Sequence, residues 1–150
     1  SILYNRDGKN KLWTVLSDAA YGFIIPGTRT YLTIGSSGGH QSGAGYKIEQ
    51  NNGNKCKGPC SKDANDMYPY YWAWDVKDLI STRMGLMKPY DVAPYDYGVF
   101  PLPEAVESHA IANGSFDHKN GRLFISIKDA DKLTPYRKAP VFLVYKAGNN

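Results

Sequence analysis

Cysteine and histidine are scarce in this chain of 150 residues, with two of the first, Cys56 and Cys60, and three of the second, His40, His109 and His118. A zinc site needs four ligands at a recognisable spacing, and these five residues do not provide one, so no metal is assigned. Long apolar runs are also missing. No stretch approaches the roughly 20 residues that a helix needs to cross a bilayer, and the chain does not open on the charged and apolar regions of a signal peptide. The expectation is a soluble protein without a membrane span, any export signal having been removed or lying upstream. The net charge is only +4, and the Lys and Arg residues are scattered. That leaves no basic patch for nucleic acid. GSSGGHQSGAG (35–45) is Gly-rich but lacks the Lys-Ser/Thr ending of a phosphate loop. No nucleotide or other cofactor is expected.

What the chain does have is 12 Tyr, 15 Gly and 9 Pro, a balance that favours strands and turns over helices. One β domain over 1–150 accounts for the length. Strand-like runs occur at LWTVLS (12–17), GFII (22–25), RTYLTI (29–34), YYWAWDV (70–76), GVFPL (98–102), HAIANGSF (109–116), RLFISI (122–127) and VFLVY (141–145), each bounded by Gly, Pro, Asn or Asp. Only DVKDLISTRM (75–84) reads as helical, with Asp75 or Asp78 to cap it and Gly85 to end it.

One strand is written twice. Arg29-Thr30-Tyr31-Leu32-Thr33-Ile34 and Arg122-Leu123-Phe124-Ile125-Ser126-Ile127 share the order arginine, variable, aromatic, aliphatic, hydroxyl, isoleucine. Each has a short strand before it and an aromatic-rich strand after it. A repeat of this kind, with a meander inside each unit, predicts an all-β fold of antiparallel propeller-like blades. A β-sandwich with two similar hairpins is the alternative. The blade reading divides the chain into a strand remnant at 12–17, a blade with a long insertion at 22–102 and a final blade at 109–147. Both faces of the repeated strand should then be covered, with Tyr31 or Phe124 facing one neighbour and Leu32 or Ile125 the other.

NGSFDHKNGRLFISIKD (113–129) resembles the strand-turn-strand phrase of propeller proteins, in which Asp precedes a small turn followed by Gly-Arg and an aromatic-aliphatic-Ser strand. The matching residues are Asp117, Gly121, Arg122, Phe124, Ile125 and Ser126. YPYYWAWDVKDLI (68–80) is similar to an aromatic strand of secreted bacterial propeller-like proteins, whose chains end on a strand like PVFLVYKA. The resemblance implies the C-terminal blades of such a protein. It defines a scaffold, and no catalytic residue carries over. Propellers need four or more blades of about 40 to 50 residues, so two blades imply part of a larger chain or assembly.

Function is expected in the insertion at 36–68, since long loops on rigid scaffolds carry it. His40 suits an acid, base or ligand, although a loop histidine more often hydrogen-bonds the backbone. Asp63 and Asp66 could offer oxygens to calcium, but their spacing is not that of an EF-hand, and Asp129 and Asp131 share the ambiguity. Among Asp75, Glu104, Glu107 and Asp117 no spacing pairs two carboxylates for glycoside hydrolysis. Asn113-Gly114-Ser115 has the form of a glycosylation acceptor and also reads as a turn beside a strand. Cys56 and Cys60, with Gly58-Pro59 between them, are expected to form a disulfide that pins the insertion and implies an extracellular or periplasmic location.

The aromatic residues are the most informative. Alternation puts Tyr70, Trp72 and Trp74 on one face of their strand, where packing is expected to bury them, and Tyr71 and Ala73 on the other. In KPYDVAPYDYG (88–98), Tyr90, Tyr95 and Tyr97 stand among carboxylates. This suits a sugar, whose C–H face stacks while its hydroxyls bond to acids. The expectation is a secreted or surface binding or structural module with a glycan among its candidate ligands, through His40, Tyr90, Tyr95 and Tyr97. A polysaccharide-acting enzyme with its site in the 36–68 loop is the alternative.

Overall fold

Tight turns divide the chain into strands that pair only with their sequence neighbours. The computed structural model describes residues 2–50, 60–106, 108, 110–134 and 136–146. Strand accounts for 44% and helix for 11%, which makes the protein all-β. The first sheet has the order β1 (Asp18–Ile24), β2 (Thr30–Gly38), β3 (Met67–Asp75), β4 (Asp96–Val99), and the second β5 (Ile111–Asp117), β6 (Arg122–Thr134), β7 (Arg137–Lys146). All five pairings are antiparallel. The two copies of the repeated pattern are therefore the second strands of two separate meanders. Their first hairpins even share an irregularity, a register shift between Ala19 and Tyr21 in one and between Ile111 and Asn113 in the other.

The sheets meet through one face each. Phe23 and Ile34 from the first sheet, Phe116, Leu123, Ile125 and Ile127 from the second, and Phe100 and Ile111 from the connection form one buried cluster. Phe23 stacks on Phe116 with ring centroids 4.4 Å apart, a geometry worth about 0.5–1.5 kcal/mol beyond the area it buries. Gly114 lets β5 approach β1, since a Cβ there would lie 2.5 Å from the Tyr21 ring. Two open sheets sharing a core are what the described residues form; neither a propeller ring nor a closed sheet is among them.

The helix follows its sequence signals. Asp75 caps α1 (Val76–Arg83) by accepting from Lys77 N, and Gly85, at φ +75°, closes it with Gly85 N donating to Thr82 O and Leu86 N to Ser81 O, the paired bonds of a left-handed C-terminal cap. Among the described residues no helix is long and apolar enough to cross a membrane.

Three expectations need correction. LWTVLS is not a strand: residues 11–17 run as bends and a turn, because their polar groups bond locally and to the loop after β2. Thr14 Oγ1 donates to Gly38 O, Thr14 N donates to Ser17 Oγ, and Asn10 Oδ1 accepts from Leu12 N and Trp13 N. The segment nevertheless covers the outer face of the first sheet, where Trp13 lies against Trp72, Trp72 Nε1 donates to Leu12 O and Tyr70 Oη donates to Lys11 O. The second correction concerns β6. Its Leu123, Ile125 and Ile127 are buried, but Phe124 is exposed beside Phe142 and Val144, since no segment of the described chain covers that side. The third is Trp74, which is half-buried, with Nε1 donating to Thr33 Oγ1, whereas Trp72 is fully buried.

Candidate functional site

The loop leaving β2 folds back over the strand it left. His40 is buried there, stacked on Tyr70 with centroids 4.9 Å apart. Its Nδ1 lies 3.2 Å from Asn10 O and its Nε2 2.8 Å from Ser37 Oγ, which is 2.6 Å from Ser17 Oγ. A carbonyl can only accept, so Nδ1 carries the proton and Nε2 accepts from the Ser37 hydroxyl. This is the neutral imidazole. Burial holds its pKa below the usual histidine value against the Asn10 carbonyl and the Asp66 charge, which pull it upward, while Lys11 pushes it down. The Ser37–His40 spacing would suit a nucleophile and its base. Ser37, however, is fully buried, and both imidazole nitrogens are engaged within the chain.

Asp66 fixes the next turn. Its Oδ2 accepts from Gln41 N, Ser42 N and Ser42 Oγ, each at 2.8 Å. Burial raises the carboxyl pKa, but the bonds from Ser42 and Gln41 together with the nearby Tyr68 hydroxyl outweigh it and leave the pKa low. Asp63 is buried as well and accepts from Asn65 N. These carboxylates serve the backbone. Among the described residues no group of three or more His, Cys, Asp or Glu is placed to hold a metal. Cys56 lies outside the described residues, and with it the expected bridge.

Tyr90, Tyr95 and Tyr97 are presented differently. Tyr97 pairs with Trp72 across β3 and β4 and lies near enough to Tyr70 to contribute, after burial, to pushing its pKa up to about 12. His40 and Tyr97 thus converge on Tyr70 from two elements. Tyr95 bonds through its hydroxyl to Thr30 Oγ1. Tyr90 stands apart in a short 3-10 turn (Pro89–Asp91), with the Lys88 ammonium 5.5 Å from its ring centroid. Asp96, at the start of β4, accepts from Tyr71 Oη at 3.0 Å, which raises the phenol pKa.

Sequence reasoning missed the outer face of the second sheet. There Asn113, Ser126 and Phe142 form one cross-strand row, and Ser115, Phe124 and Val144 the next. Asn113, Gly114, Ser115, Phe124, Ser126 and Phe142 line a depression of about 240 Å³. The repeat itself carried the signal, since its second copy exchanges residues at positions that the first keeps apolar or bare.

Comparison with known proteins finds no family model, no curated protein and no solved structure that matches this chain. Fold and site together define it as an antiparallel, two-sheet β protein that displays aromatic side chains on strands.

Proposed function

We propose that this protein is a secreted or surface binding module, with a glycan as its ligand, built on propeller-like blades of which the two meanders are representatives. The observation that carries this reading is the contrast between its polar and aromatic groups. The titratable side chains of the long loop, His40 and Asp66, are buried and engaged by the chain itself, while Tyr90, Tyr95 and Tyr97 are 77%, 62% and 39% exposed on or beside the first sheet. Exposed rings next to Asp91 and Asp96 offer stacking and hydrogen bonding together. The Cys56–Cys60 bridge belongs to the same proposal, because an oxidising compartment would preserve it. Non-reducing mass spectrometry should find the chain two hydrogens lighter, and two alkylatable thiols in the native protein would count against export.

A glycan array read for capture, followed by chromatography of the supernatant, tests the main reading. Retention without new products supports a binding module. Released oligosaccharides would favour an enzyme with its site in the 36–68 loop, and no retention at all would leave a scaffold role.

A further inference from the structure

Superposing the two meanders by register aligns Gly22–Thr33–Trp72 with Asn113–Ser126–Phe142, and Ile24–Tyr31–Trp74 with Ser115–Phe124–Val144. The same face of the same unit therefore occurs twice in two states. In the first, Trp13 lies on Trp72 at a centroid distance of 4.7 Å and the Tyr31 ring lies over Gly22. In the second, the equivalent of Trp72 is Phe142, which is 71% exposed. A face waiting for another chain segment would be expected to keep the composition of its covered counterpart. This one does not. Where the covered face has Gly22 and Ile24, the open face has Asn113 and Ser115.

We infer that this open face is a saccharide subsite. One pyranose ring would take the place over Phe142 that the indole of Trp13 takes over Trp72. Its C–H face would stack on Phe142 and Phe124, and its hydroxyls would meet Asn113, Ser115 and Ser126. The groups are available for it. The Asn113 Oδ1 accepts from Gly114 N, which leaves the amide NH₂ pointed away from the backbone, and the Ser126 hydroxyl makes only a long contact of 3.4 Å to Asn113 O. A depression of about 240 Å³ falls below the usual 300 to 1,000 Å³ of drug-sized pockets and suits one ring of a longer chain. The position is fixed from beneath, because Gly114 seats β5 on Tyr21 and Phe116 stacks on Phe23. This inference rests on the glycan-binding reading but places the ligand on a different sheet from Tyr95 and Tyr97.

Calorimetric titration of the full chain with chitotriose, cellotriose and mannotriose, with Phe142→Ser, Asn113→Ala/Ser115→Ala and Tyr97→Ala variants in parallel, separates the two. The inference expects at least one trisaccharide to bind, with affinity falling roughly tenfold or more in the first two variants, the scale of losing a stacked ring or a hydroxyl partner. Thermal midpoints should stay unchanged, since these side chains are exposed. Binding that survives Phe142→Ser but is lost in Tyr97→Ala overturns this site and leaves the glycan reading standing. Failure of all three sugars to bind the unsubstituted protein overturns both. If Phe142→Ser instead converts an oligomer to a monomer in sedimentation velocity, the face is a protein interface and the inference is wrong.

Discussion

Trp13 and Trp72 lie 4.7 Å apart, centroid to centroid, with their planes tilted by 46°, although 59 positions separate them in the chain. The contact joins an irregular N-terminal segment to the middle of a sheet, and Trp72 Nε1 reinforces it by donating to Leu12 O at 2.7 Å. Removing Trp72 would leave a cavity between the sheet and its cover and an unpaired carbonyl. Trp72→Ala is expected to cost about 3–5 kcal/mol in urea unfolding. Trp74→Ala, at a half-buried position, should cost clearly less. Equal losses would mean that the cover contributes little.

His40 gives a pH dependence of defined sign. Its folded pKa lies below the unfolded value near 6.5, so the unfolded chain binds the proton first as pH falls. The stabilisation is complete above pH 6.5 and declines as pH drops through 6.5 toward the lowered folded value. Denaturation midpoints between pH 7.5 and 5 should fall in the unsubstituted protein, and the slope should flatten in His40→Gln. An unchanged slope would remove His40 as its source.

Asp66 organises the loop through three bonds to one oxygen. Asp66→Ala should cost about 2–4 kcal/mol, the range for losing charge-assisted bonds and orphaning their donors. Hydrogen exchange at the Gln41 and Ser42 amides should accelerate more than exchange in β6. Its carboxylate acts in a separate pH window. With a lowered pKa, its contribution is present above the ordinary carboxylate value of 3.8 and is lost as pH falls through the folded value.

Gly114→Ala tests how tightly the sheets approach. The new methyl would meet the Tyr21 ring at 2.5 Å, an overpacking that should cost about 1–3 kcal/mol. Tyr21→Leu, which withdraws the ring, should reduce that cost in a double-mutant cycle. Additive effects would show that the strain falls elsewhere.

How much of this was legible depended on whether a residue's partners were near it in sequence. The helix cap at Asp75 and the stop at Gly85 are local chemistry and could be read directly. So could β2 and β6, whose apolar residues alternate or cluster. The hairpin of β6 and β7 runs beyond the apolar run to Thr134 and back from Arg137, because ladder bonds hold a stretch whose exposed side chains carry no pattern. LWTVLS has the composition of a strand, yet Asn10, Ser17 and Gly38 claim its polar groups. The burial of His40 depended on Asn10 and Tyr70, each 30 residues away in sequence, so it could not be read from the loop alone. Tyr90, Tyr95 and Tyr97 were read as exposed from their prolines and aspartates. The face around Phe142 was hidden because it resembles a strand that is elsewhere covered.

Each sheet is built from one uninterrupted stretch of chain, 18–99 and 111–146, and the backbone passes between them once. Pairing that never reaches past a neighbour keeps loop-closure entropy low, except across the 28 residues between Gly38 and Met67, which must be gathered before β2 and β3 can join. The second meander can therefore assemble while the first is still searching, and it then presents Phe116 as a template against which Phe23 docks. A cut in the single crossing, near Glu104, would sever the covalent link without interrupting any strand ladder. The two fragments should recombine on mixing, held by the shared aromatic and isoleucine core alone.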